Sequence, residues 1–160
     1  MSVDGRALRG GLGVRVRDAR VQFQGTDALA NASVHIQPGE FLSIVGDSGG
    51  GKTTLLRAIG GLLALTSGSI DFTDVAGASV QVGPRDIGFC FQEGRLLPWR
   101  TVAANVALPL ELEGVGTGER LDAAHAMLER MRLVGVERKM PSQLSGGMRM
   151  RVAMARALVT

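Results

Sequence analysis

The chain has 160 residues, 45% of them hydrophobic, which suffices for one domain with a buried core, or for most of a larger one, and excludes a disordered tail. Its formal net charge is +3, with Lys only at positions 52 and 139 and the other positive charges on scattered Arg; five Phe, one Trp and no Tyr are too few for base-stacking platforms, so nucleic acid is not an expected partner. The single Cys90 excludes an internal disulfide framework, no Cys/His cluster is spaced for zinc, and no run approaches the roughly 18 apolar residues of a membrane span.

In chain order, the opening "MSVDGRALRGGLG" lacks the apolar core of a secretory signal, and residues 1–13 read as a flexible N-terminus of a cytoplasmic protein. From Val14, "VRVRDARVQF" alternates apolar and polar residues, and "ASVHIQPGE" repeats the alternation up to a Pro-Gly turn, so two antiparallel strands are expected. "FLSIV", residues 41–45, is a short apolar run of the kind buried on both faces of a parallel sheet. A glycine-rich loop follows, and then "KTTLLRAIGGLLAL" places Leu55, Leu56, Ile59, Leu62 and Leu63 on one helical face.

"TSGSIDF" reads as a turn and a strand, and "RDIGFCFQ" as a further strand after Pro84, with Cys90 expected as a buried, inert thiol. From Glu93 to Leu144 only helix patterns and loops remain. "TVAANVALPLELEGV" is broken at Pro109, while "ERLDAAHAMLERMRLVGV" puts Leu121, Ala124, Leu128 and Met131 on one face. "SGGMRMRVAMARALV" then opens a final helix with Ser145 as its cap. The expected organisation is an α/β nucleotide-binding core with an antiparallel β edge over 14–92, a helical subdomain over 93–144, and a segment 145–160 that returns to the core. His35 falls on an alternating strand and His125 on an amphipathic helix, so both read as structural or exposed rather than catalytic.

Gly46, Gly51, Lys52 and Thr53 fit G-x-x-x-x-G-K-[ST] in the strand-to-helix setting that a phosphate-binding loop requires. Glycines at 46, 49, 50 and 51 let backbone N–H groups turn towards phosphate oxygens, with Asp47, Ser48 and Thr54 completing the loop, and the helix start adds its positive dipole end. Lys52 is expected to reach the β- and γ-phosphates of ATP, and the Thr53 hydroxyl to join the shell of Mg²⁺. This motif is shared by kinases, GTPases and transport motors and does not choose among them.

"LSGGM", Leu144 to Met148, followed by an Arg-rich helix, resembles the signature motif of the ATP-binding cassette family. Ser145 can donate its hydroxyl while Gly146 and Gly147 expose N–H groups at a helix start, which makes a second anion site. The resemblance covers Val14 to Thr160 and implies the P-loop NTPase fold of that family. It implies that Ser145, Gly146, Gly147 and Met148 face ATP held by a second ATP-binding subunit in a head-to-tail dimer. "FCFQEGRLLPWRTV" looks like the family's Q-loop, in which Gln92 ligates Mg²⁺ or positions water and its loop reports to a transmembrane permease. Phe23 falls where the family stacks an aromatic residue on adenine, and a core Phe on an alternating strand is an equal alternative.

The wording "FQEGRLLPWRTV" and "LPLELEGV" is most similar to the ATPases of the nitrate, sulfonate and taurine importers. That likeness implies a peripheral subunit on the cytoplasmic face of the membrane, driving uptake from a solute-binding protein. Asp47, Gly50, Met148 and Met150 depart from the commoner family residues at their positions. The apolar run ending in Asp-Glu that the family needs for hydrolysis, and its switch His, have no counterpart before Thr160; the chain is expected to be a C-terminally shortened cassette that binds nucleotide. Two rivals stay open: a cassette ATPase unconnected with transport, and a catalytically inactive nucleotide-binding protein.

Overall fold

A computed structural model describes residues 11–83 and 86–160; the expected N-terminal segment lies outside the described residues up to position 10, as do Pro84 and Arg85 of the expected later strand. The chain divides into two compact units, Met1–Ile87 and Gly88–Thr160.

In the first unit β1 (Gly13–Phe23) and β2 (Thr26–Ile36) form the expected antiparallel hairpin, closed by Gln24 and Gly25, both at positive φ. Such a two-residue turn matches the right-handed twist of the strands. β3 (Ser67–Thr73) pairs with the other edge of β1, and the two-residue β4 (Ser79–Val80) follows it, giving the sheet order β2-β1-β3-β4 with every pairing antiparallel. Apolar residues of β1 fall at 14 and 16 and then at 19 and 21, a slip of one position. The structure absorbs it as a bulge at Asp18, whose φ is 45° and whose N–H donates to Ser33 Oγ at 2.9 Å. The bulge returns the alternation to register, so Val16, Ala19 and Val21 are all buried, with Leu29 and Leu55.

α1 (Lys52–Ile59) buries Leu55 and Ala58, and Ile59 and Leu63 pack on the same cluster. Two members of the expected apolar face do not join it. Leu56 is 48% and Leu62 53% exposed, because Leu56 sits a hundred degrees round the helix from Leu55 and the helix ends at Gly60 before Leu62 is reached. The expected strand at 41–45 is also corrected. It forms no ladder, Phe41 and Val45 are 93% and 89% exposed, and only Ile44 packs on the core. Residues 87–91 likewise form no strand. A strand exists through its hydrogen-bonded neighbours, and among the described residues none pairs with either run.

In the second unit, as the periodicity required, only helices occur: α2 (Val102–Val106), α3 (Leu108–Leu112), α4 (Thr117–Arg130), a 3-10 turn Pro141–Gln143, and α5 (Gly146–Ala157). Pro109 lies in the first turn of α3, where its missing N–H costs nothing, so the expected break becomes a new helix start. Val102, Val106, Ala124, Leu128, Leu133, Val152 and Ala155 form the core, with Leu121 and Met131 packed against it.

Two polar devices hold this unit. Arg100 grips Glu111 with two N–H···O bonds of 2.8 and 3.0 Å, which keeps the carboxyl below its ordinary range. Asn105, fully buried, accepts from Leu97 N–H at 2.7 Å and donates to the carbonyls of Leu97, Arg100 and Thr101 at 3.1, 3.1 and 3.0 Å. That one side chain satisfies the backbone of the loop ahead of α2. Cys90 corrects the expectation of burial: it is exposed, with Sγ 3.7 Å from Met150 Sδ, and partial desolvation raises its thiol above the ordinary value.

Asn105→Ala strands the Leu97 N–H in the core and is expected to lower unfolding free energy by about 2–4 kcal/mol in denaturant titration. Because the Glu111 pKa is depressed on folding, its contribution is present above the unfolded value of about 4.3 and is lost as pH falls through the lower folded value. Glu111→Gln should flatten the stability–pH curve in that acid window, with the wild-type slope surviving there as the contrary result.

Candidate nucleotide-binding loop and signature turn

Residues 46–51 form a loop that runs straight into α1, with Gly51 as the residue before its first turn. Gly51 has φ 77°, and a Cβ there would lie 2.9 Å from the Ala28 carbonyl oxygen and 3.0 Å from Leu29 Cδ1. Glycine is required on both counts, conformation and close approach to β2. Inside the loop Gly50 N–H donates to the Asp47 carbonyl at 3.2 Å, which tightens the turn.

α1 carries no acidic residue in its first turn and no side chain caps it. Helix geometry leaves the first-turn N–H groups without intrahelical acceptors, so they point out of the helix start together with its dipole. The Lys52 ammonium folds back over the loop, donating to the Gly46 carbonyl at 2.8 Å and to the Asp47 carbonyl. Thr53 is exposed and Thr54 half-buried. A cleft of about 400 Å³ opens beside the loop, lined by Asp27, Ala28, Leu29, Gly49, Gly50 and Lys52 among others. Free amides at the helix start and an ammonium beside them are a donor set suited to phosphate oxygens, with the exposed Thr53 hydroxyl next in the chain.

Asp27, which residue-by-residue reading did not single out, lies on this cleft and is bound by Arg20 through bonds of 2.8 and 3.0 Å. Arg20 holds its carboxyl below the ordinary range, so the charge stays ionised and paired. Only the bulged register of the hairpin brings the two together. Phe23, at the hairpin tip, is 54% exposed. The core alternative for this residue is thereby set aside, since its ring stands out from the packed cluster.

In the second unit Ser145 precedes α5 in extended conformation, and its Oγ accepts from Met148 N–H at 3.3 Å, as a cap should. Ser145, Gly146 and Gly147 are exposed, and around Gly147 a Cβ would meet nothing within 4 Å. Met148 differs in kind: its side chain packs against the helical core and its N–H is taken by the cap. Gln92 is exposed on a turn closed by a 2.9 Å bond from Gly94 N–H to the Phe91 carbonyl. His35 and His125 are both exposed. Among the described residues no three of His, Cys, Asp and Glu gather as a metal-binding group, and no helix is long and apolar enough to cross a membrane.

A glycine loop delivering a lysine to a helix start defines the class of P-loop nucleotide-binding proteins. The chain belongs to the ABC transporter family, whose profile matches residues 29–160. It is 43% identical over 150 residues to the methionine import ATP-binding protein MetN of Rhizobium johnstonii, covering 91% of this chain and 41% of that protein. The aliphatic sulfonates import ATP-binding protein SsuB of Cupriavidus necator is 43% identical over 150 residues, covering 94% of this chain and 48% of its own length. The taurine import ATP-binding protein TauB of Escherichia coli is 43% identical over 136 residues, covering 85% and 52%. The chain thus spans about half the length, or less, of these relatives. Among solved structures, the dimeric ATP-binding cassette MJ0796 bound to ADP and Pi superposes with a TM-score of 0.77 at 34% identity, over 91% of this chain and 69% of that one. The fold is that of a P-loop ATP-binding cassette, with the antiparallel edge and helical portion described above.

Gly51→Ala forces a left-handed conformation on an L-residue and a contact with Ala28. It should cost about 1–3 kcal/mol of stability and shift thermal unfolding downward, with an unchanged midpoint contradicting the loop geometry.

Proposed function

We propose that this chain is the nucleotide-binding portion of an ABC importer subunit that binds ATP with Mg²⁺ and couples its binding and hydrolysis to uptake of a small anion of the sulfonate, taurine or nitrate type. The observation that carries the reading is the pair of anion-ready helix starts, Gly51–Thr54 on α1 and Ser145–Gly147 on α5, in a chain whose relatives are named as import ATP-binding proteins. The relatives' names divide among methionine, sulfonates, taurine and sulfate, and the wording "FQEGRLLPWRTV" favours the sulfonate and taurine side.

In this reading the amides of the first turn of α1 receive phosphate oxygens, and Lys52 exchanges its bonds to the Gly46 and Asp47 carbonyls for the β- and γ-phosphates. Phe23 offers an exposed π-face to adenine. The Thr53 hydroxyl would hold Mg²⁺, which would neutralise charge on the phosphates, and the family resemblance gives Gln92 the role of metal ligand or water-positioning amide. Ser145, Gly146 and Gly147, with Met148 fixing the turn from the core side, would meet the ATP carried by a second subunit, so two subunits close on two nucleotides. The closing and reopening would act on a transmembrane permease that receives solute from a binding protein, with the subunit peripheral on the cytoplasmic face of the membrane. Orienting the attacking water needs a carboxylate at the γ-phosphate, a role that this reading gives to none of the residues named above. Residues 11–160 therefore account for binding and positioning.

Lys52→Ala is the direct test. Mg-ATP affinity, read by calorimetry on folded protein, should fall about 10–100-fold while the unfolding midpoint holds, since the Lys52 ammonium bonds only carbonyls of the exposed loop. Equal affinity in the variant and the wild type would remove the assignment of this loop.

A further inference from the structure

α5 begins at the signature turn and ends at Ala157, about 18 Å away by helix geometry, with Arg156 in its last turn. The guanidinium of Arg156, half-buried, donates from Nη1 to the Arg95 carbonyl at 3.0 Å and from Nη2 to the Gly94 carbonyl at 2.9 Å. Gly94 closes the turn that carries Gln92, and Arg95 directly follows it. Both hold left-handed backbone, Gly94 at φ 72° and Arg95 at φ 41°, a conformation an arginine adopts only when its surroundings hold it there.

Other contacts confirm that the turn is seated on α5. A Cβ at Gly94 would come within 3.3 Å of the Arg149 carbonyl oxygen and 3.4 Å of Ala153 Cβ, so glycine allows the turn to lie flat against the helix. The Arg95 guanidinium stands 4.9 Å over the Phe91 ring, which closes the turn from its other side. Downstream, Asn105 pins the same segment at Leu97, Arg100 and Thr101. Gln92 is thus exposed on a turn whose following segment is held by Arg156 and by Asn105.

We propose that Arg156 is a positioning residue: its two-pronged grip on Gly94 and Arg95 locks the Gln92 turn to the signature helix, so that Ser145–Gly147 and Gln92 move as one body. The proposal rests on the reading that these two segments face nucleotide. A rod that carries the signature turn at its start and the Gln92 turn along its side, from Arg149 to Arg156, transmits a shift at either to the other. A planar fork is needed for this, because a lysine ammonium at the end of a flexible stem does not hold two adjacent carbonyls in one plane.

The test uses the subunit at its full natural length, free and assembled with its permease, as wild type, Arg156→Lys and Arg156→Ala. Arg156→Lys, which keeps the charge and the fold, should speed amide exchange at residues 94–96 about tenfold while exchange in the cores of α4 and α5 holds. ATP affinity of the free subunit should stay within about twofold, and permease-coupled ATP turnover should fall about tenfold in kcat with KM for ATP unchanged. Unchanged exchange at 94–96 in both variants overturns the clamp; faster exchange with full coupled turnover overturns its role in coupling. A wild-type subunit that binds no ATP removes the nucleotide reading and the coupling with it, an outcome told apart from failure of the clamp because amide exchange is read without nucleotide. If Arg156→Ala does not fold, Arg156→Lys alone decides.

Discussion

The N–H groups in the first turn of a helix have no acceptor within the helix, and both helices that matter here begin where the chain leaves such groups open to solvent. α1 starts after Gly51, a position that excludes a side chain because β2 passes beneath it. α5 starts after Ser145, whose hydroxyl satisfies one amide while the glycines that follow stay uncovered. Had either start been capped by an Asp with an acidic first turn, that charge would oppose an anion there. The helix dipole and the missing Cβ atoms therefore favour an anion at the same place.

Lys52 shows how such a loop holds a cation before anything else arrives. Its ammonium takes two loop carbonyls as acceptors, which costs little to exchange because both are exposed and can turn to water. Asp27 close by is neutralised by Arg20, so the cleft does not add a free negative charge to the one at Asp47. The second unit follows a different logic. Asn105 bonds the loop backbone while the Arg100–Glu111 pair ties the end of that loop to α3, and together they hold the segment after Gln92 although much of it is exposed.

Periodicity made much of this readable. The β1–β2 hairpin, the break at Pro109, the buried stripe of α4 and the serine cap of α5 each follow from local rules of spacing and hydrogen bonding, and the phosphate loop follows from a gap-free motif. The runs "FLSIV" at 41–45 and "RDIGFCFQ" at 85–92 read as strands, and there the local pattern fails over 41–45 and 87–91. An apolar run states that burial is favourable; it does not supply the neighbouring strand, and none of the described residues does so. Cys90 was misplaced for the same reason, since it sits in one of these runs.

The sequence by itself determined the chemistry: which loop offers amides and an ammonium, which turn offers a second set, and which family carries both, because each depends on residues adjacent in the chain. Tertiary structure alone decided which distant side chains act on those segments. The Arg20–Asp27 pair depends on a bulged register, Gly51 on the passage of β2, and the grip of Arg156 on Gly94 and Arg95 on packing between residues some sixty positions apart. Contacts of that range are set by how apolar faces close over one another, and no local pattern encodes where two faces will meet.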